Sequence, residues 1–311
     1  MAADREPDMP IVPFAPPQTV PIFSGFDYVT VDAARRRVYA AHTGSQALLV
    51  VDADTGKVVT QVRVGPLHGV AVEPKSGHVF TGDGDARTVS EVDPVASSVV
   101  RSVDVPGAID ALAFDPKTNR IFADEDDGTQ IFVIDAATFK QIGTVKLPGN
   151  KPEYLGVDPK TSDVYQNIAD LGEFVVVDAQ SLSVKKTVPT PELGANHPLV
   201  YDAAFGAIVV GGTKGLLSSF DPQGRRLGSA ELQPRVDQCS LDAVAHVLAC
   251  AGGGTLTFVK VSPNGALSVI GKTAVAPGVH TVGLDAQAHR AWVVWNDRAS
   301  GDFVQGFDYT P

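Results

Sequence analysis

The stretch FDYVTVDAARRRVYAAHTGSQALLVVDADTGKVVTQVRV, residues 26–64, divides into four short strands joined by turns. VTVD (29–32) leads through a turn at 33–36 to VYAAH (38–42), a loop leads on to ALLVVD (47–52), and Ala53-Asp54-Thr55-Gly56 turns the chain into KVVTQVRV (57–64). Each run alternates or is continuously apolar over a strand's length. The opening segment recurs as LHGVAVE (67–73), IDALAFD (109–115), PEYLGVD (152–158), NHPLVYD (196–202), VDQCSLD (236–242) and VHTVGLD (279–285). Five places before the closing acid of each copy stands an ionisable residue: Asp27, His68, Asp110, Glu153, His197, Asp237 and His280. Their separations of 41, 42, 43, 44, 40 and 43 positions match four-stranded propeller blades. Seven copies predict an all-β, seven-bladed propeller of antiparallel blades, a single domain over residues 12–311.

The seventh copy runs through RAWVVWN (290–296) and DFVQGFDYTP (302–311), which leaves no residues for a fourth strand. TVPIFSGFDY (19–28) resembles TVKLPGNKPEY (144–154), a fourth strand entering the next blade. The N-terminal segment is therefore expected to complete the seventh blade, closing the ring and hiding its edges. Residues 1–11, rich in proline and charge, are expected to form a flexible tail.

The 30 Gly and 22 Pro punctuate short Val-rich runs, and no amphipathic helix is evident. A formal net charge of −11 with no Lys/Arg cluster argues against nucleic acid. No run approaches the ~18 apolar residues of a membrane-spanning helix. MAADREPDMP lacks the apolar core of a signal peptide, and a Met before Ala-Ala-Asp fits a start added to a mature secreted form as well as a cytoplasmic start. The expectation is a periplasmic or secreted monomer, with the cytoplasm left open. Cys239 and Cys250 lie on the two arms of the hairpin CSLDAVAHVLAC. Two small buried thiols are expected there, with a disulfide in an oxidising compartment as the alternative.

FDPKTNRIFADEDDGTQIFVIDAATFK (114–140) contains Asp-Pro-x-(Thr/Ser)-x-x-(Val/Ile)-(Tyr/Phe), a loop and (Val/Ile)-Asp-x-x-Thr, and so resembles the YVTN or YncE-like seven-bladed propellers. The likeness covers nearly the whole chain, although the asparagine that the pattern implies after the second strand is replaced by His42, Asp83 and Glu125 in the first three blades. The resemblance implies that each innermost strand lines an axial channel and that all seven register residues surround one mouth of it.

His68, His197 and His280 belong to copies 2, 5 and 7, close to three-fold spacing, so three imidazoles are expected to converge on an axial divalent transition metal. Zinc is the first choice, with iron or copper as alternatives. Asp27, Asp110 and Asp237 are expected to accept the second imidazole N–H and so fix the tautomers. Glu153, the one Glu of the ring, is the expected general base, and Tyr28 and Tyr154 are expected either to donate to a developing oxyanion or to pack between blades. Asn196 and Gln238 are candidate substrate contacts. His42, Asp83, Asp124–Asp127, Asn167, Trp295 and Asn296 follow the second strands and are expected to form an outer wall, with Trp295 stacking on a ligand. The acidic run from Asp124 lacks the oxygen-ligand spacing of an EF-hand and reads as a solvated loop. His78, His246 and His289 are expected on the surface of the opposite mouth. The leading expectation is a metal-dependent hydrolase or lyase acting on a small carbonyl, ester or lactone. The alternatives are a non-enzymatic module binding protein, peptide or glycan, and a copper or iron redox enzyme.

Overall fold

The computed structural model describes residues 9–20 and 25–311. Six sheets have four antiparallel strands apiece in consecutive order. Blade 1 contains Val29–Asp32, Arg37–His42, Ala47–Asp52 and Val58–Arg63, and blade 3 contains Ile109–Asp115, Arg120–Glu125, Gln130–Asp135 and Lys140–Lys146. Among the described residues there is no α-helix, only one turn of 3-10 helix at Thr43–Ser45. Among the described residues no helix is long and apolar enough to cross a membrane.

Blade 7 contains Thr281–Asp285, Arg290–Asp297 and Gly301–Tyr309, and its fourth strand comes from the other end of the chain in two pieces, Ile11–Pro13 and Gln18–Val20. The ring closes as expected, with the closing strand earlier than 19–28. Pro16 and Pro17 break it, because neither offers an N–H to the ladder. Residues 21–24 and 1–8 lie outside the described residues. Met9 N donates to Ile270 O, so chain order begins before the edge of the expected tail.

Neighbouring blades cover the second and third strands on both faces, which is why runs such as ALLVV (47–51) are buried throughout. Trp292, Tyr39, Tyr165, Phe122 and Phe132 fill the inter-blade layers. Gly253 and Gly254, with φ of +57° and +76°, make the tight turn between Val247–Gly252 and Thr255–Val261.

The closing acids act twice. One carboxylate oxygen caps the turn that follows, as Asp202 Oδ1 does for Ala204 N. The other ties the next blade: Asp158 accepts from Tyr201, Asp202 faces His246 Nδ1 at 2.7 Å, Asp242 faces His289 Nδ1 at 2.8 Å and Asp285 pairs with Arg36 at 2.6 Å. His246 and His289 are therefore inter-blade ties rather than simple surface residues, while His78 is held 2.6 Å from Glu91 of its own blade. Cys239 and Cys250 form a disulfide, against the expectation of free thiols. They are directly paired on adjacent strands with their Cα atoms 4.1 Å apart, and this register brings the sulfurs together.

Candidate metal centre at the axial mouth

The seven innermost strands pack side by side around the axis. Their pairing is interrupted between Leu67 and Val70, Ile109 and Leu112, Glu153 and Leu155, Asn196 and Leu199, and Val236 and Gln238. A β-bulge adds a residue and re-aims its side chain, so five of the seven register residues sit where the strand bends at its entrance. Tyr154 adopts a φ of +44° inside its bulge, in the left-handed region that bulky residues rarely occupy. Beside His68, Gly69 permits the close approach of blades 2 and 3: a Cβ there would lie 2.8 Å from Asp110 O and from Leu112 N.

Two acid–histidine groups result. Asp27 Oδ2 lies 2.6 Å from His68 Nδ1, and Asp110 Oδ1 is 4.0 Å from the same nitrogen. Asp27, His68 and Asp110, from successive blades, place one potential ligand atom each within 4.8 Å of one another, and they form the one such group of three among the described residues. In blades 4, 5 and 6, His197 Nδ1 lies 2.9 Å from Asp237 and 3.7 Å from Glu153. The three histidines are not gathered into one ligand set. The imidazoles of His68 and His197 turn to neighbouring carboxylates, and His280 Nδ1 lies 3.0 Å from the carbonyl of Gly278. Asp27 and Asp110 thus stand beside His68 as potential ligands rather than behind it.

Burial raises the Asp110 carboxyl well above the usual range, and the charges of Asp124, Asp27 and Glu153 add to the effect. Burial pushes Glu153 up to about 7, with His197 opposing and Asp237 and Asp126 reinforcing the shift. The Asp27 hydrogen bond raises His68. His197 is also raised: burial opposes the shift, while Asp237 and Glu153 favour the imidazolium. Carboxylates confined this closely repel one another and favour either protons or a cation. No Lys or Arg forms an ion pair with Asp27, Asp110, Glu153 or Asp237 among the described residues.

Tyr28 and Tyr154 meet beneath the ring with their centroids 5.4 Å apart, and the Tyr28 hydroxyl donates to Asp110 Oδ2. Both help to line an axial cavity of about 330 Å³. Burial pushes the Tyr154 phenol up to about 12, so it remains protonated at neutral pH.

The expected wall is largely interior. His42 is 0 % exposed, with Nε2 2.5 Å from Asp302 and its ring stacked on Phe26. Asn196, also 0 % exposed, spans Thr190 and the Glu173 carbonyl. Trp295 is buried against Phe303, its cross-strand partner. These three side chains hold blades together and do not face the mouth. Gln238 is nearer the site: its amide donates to Asp27 Oδ1 at 3.4 Å, and its other end accepts from Thr281. Asp124 does not belong to a solvated loop. It is 0 % exposed, accepts from Ala111 N at 2.6 Å and from Gln166 Nε2 at 2.9 Å, and thereby fixes the backbone directly after Asp110. Burial pushes it up to about 7. The sequence marked Asp124 only as one acid in a run of four.

No protein-family model and no curated protein matches the chain. Solved structures match its shape. The WD40 repeats of RRP9 align with a TM-score of 0.84 at 9 % identity, over 97 % of this chain and 100 % of that one. A chain of the mitotic checkpoint complex gives 0.82 at 14 %, over 100 % and 95 %. Hydrazine synthase of Kuenenia stuttgartiensis gives 0.78 at 14 %, over 92 % and 97 %. At such identities the likeness is one of fold: this chain is a seven-bladed β-propeller.

Proposed function

We propose that the axial mouth is the active site of a metal-dependent enzyme, a hydrolase or lyase acting on a small carbonyl, ester or lactone. The observation that carries this is the convergence of Asp27, His68 and Asp110 from three successive blades. A mixed imidazole–carboxylate set suits zinc, and iron or copper can use the same atoms. A divalent ion there would polarise a carbonyl oxygen. For ester hydrolysis, ionised Glu153 takes a proton from water as the water oxygen attacks the carbonyl carbon. When the C–O bond breaks, protonated His197 gives its proton to the leaving oxygen, and Asp237 holds the imidazolium in place. The YVTN-like pattern of residues 114–140 is compatible with this assignment and adds no chemistry to it.

The deciding experiment is elemental analysis of protein purified without chelator, together with His68→Ala and His280→Ala. About one equivalent of metal in the wild type and in the His280 variant, and loss in the His68 variant, supports the assignment. A metal-free wild type whose unfolding is unmoved by added Zn²⁺ sinks it. A second reading, a protein-binding module, is favoured by the assemblies among its structural neighbours, such as the mitotic checkpoint complex. It predicts negligible metal and a partner whose affinity changes with substitutions on the propeller face.

A further inference from the structure

Arginines heading second strands close the clefts between blades at two junctions. Arg290 of blade 7 donates to Ala53 O of blade 1, and Arg120 of blade 3 donates to Ala179 O of blade 4. Each target carbonyl directly follows the aspartate that ends the third strand of the next blade. Between blades 2 and 3, Arg101 takes over and reaches Ala136 O and Ala137 O while covering the Phe139 ring. Arg37 heads the second strand of blade 1, and its equivalent target is the carbonyl of Pro94, after Asp93. It does not make that bond. Its Nη1 turns back to Asp52 Oδ2, 2.8 Å away in its own blade, and to Arg36 O.

The cleft that remains is a cavity of about 770 Å³, against about 360 Å³ at the junction of blades 3 and 4. Its size is that of a small-molecule pocket. The walls are of two kinds. Val59 and Val95, 50 % and 92 % exposed, give an apolar rim, and beneath them lie Tyr39 and Val50, whose side chains are buried. Arg35 and Arg37 give positive charge in a chain whose net charge is −11. The one carboxylate of the lining, Asp93, accepts from Val95 N and Ala96 N on Oδ1, and its Oδ2 lies 3.8 Å from Nε2 of His78, also in the lining. Nε and Nη2 of Arg37 donate to no protein atom among the described residues. A carboxylate matches that remaining edge of the guanidinium, and an apolar body matches the exposed valines.

We infer that the cleft between blades 1 and 2 is a second ligand site, separate from the axial mouth, for a small organic carboxylate with an apolar body. The ligand's carboxylate meets Arg37, and its body lies against the exposed Val59 and Val95.

Phenylacetate, phenylacetamide and phenethylamine share one shape and differ in charge, so they serve as probes of the intact chain by amide chemical-shift mapping. Phenylacetate is expected to bind with a dissociation constant of about 1 mM, as suits about ten non-hydrogen atoms. It shifts the amides of Arg37, Thr60 and Val95, and the amide and amine bind at least tenfold more weakly. Arg37→Gln weakens binding at least tenfold. Because that change also breaks the Asp52 pair, Val59→Glu is the second variant: the position is half exposed, tolerates the charge and repels the probe to the same extent. Asp110→Asn leaves binding unchanged. Equal affinity for all three probes, shifts confined to the axial mouth, or no binding at ten times that concentration overturns the proposal.

Discussion

The Tyr28 hydroxyl of blade 1 lies 3.2 Å from Asp110 Oδ2 of blade 3, past the intervening blade that carries His68. The bond leaves the other Asp110 oxygen on the His68 side and orients the carboxylate for a cation. Tyr28→Phe preserves the ring and its contact with Tyr154 but releases that carboxylate. Metal affinity is expected to fall 10- to 100-fold, the usual effect of losing an outer-sphere partner, with little change in the unfolding midpoint. Competition with a chromogenic chelator measures it.

In the proposed mechanism Glu153, with its carboxyl pushed up to about 7, serves as a base only when ionised. Activity should therefore rise with pH through an acid limb near 7. Glu153→Gln should abolish that limb and lower kcat by about 10² or more, the typical contribution of a positioned base. A pH profile of kcat/KM on an activated ester or lactone tests both. An unchanged profile in the variant would remove Glu153 from catalysis.

Asp124 titrates near 7 when folded and in the ordinary carboxylate range when unfolded. Between these values the folded state holds a proton that the unfolded state has released, so this group makes stability fall as pH rises from about 4 to about 7, by at most about 1.4 kcal/mol per pH unit. Asp124→Asn removes the titration. Its amide oxygen accepts from Ala111 N, and when the Gln166 amide turns over its nitrogen donates to Gln166 Oε1, an atom left without a partner in the wild type. Urea unfolding across pH 4–8 should show a flatter dependence and a relative gain at the alkaline end.

Arg290 is 9 % exposed, pairs with Asp308, donates to Ala53 O and lies 3.1 Å over the Phe14 ring. It joins blade 7 to blade 1 and to the N-terminal segment that completes the ring. Arg290→Ala strands the Ala53 carbonyl and opens this junction, at a cost of about 3 kcal/mol. Arg290→Lys should recover less than half, because a single ammonium cannot satisfy the fork and stack together. Denaturant midpoints for the three proteins give the comparison.

The blades were legible because their signals are local: a Val-rich run, an acid, a turn, and the same again about 42 residues later. The positions of Asp27, His68 and Asp110 in one register were equally visible. Which way the imidazoles turn was not, since this depends on where the bulges at Leu67–Val70 and Asn196–Leu199 direct the chain and on which carboxylate the next blade brings near. His42 and Asn196 looked like mouth residues because they flank strand ends. They are interior because adjacent blades close over those ends, as Asp302 and Phe26 do for His42 and Thr190 does for Asn196. Asp124 was hidden by its neighbours: four consecutive acids suggest solvent, yet one of them points inward.

Residues 11–13 and 18–20 are made long before the strand they pair with, Gly301–Tyr309. On the ribosome the opening segment must therefore wait, unpaired, while six complete blades and most of a seventh emerge. The ring seals only when these two distant segments meet, and a chain stopped short of residue 301 leaves Arg290–Asp297 without the strand that pairs it to them.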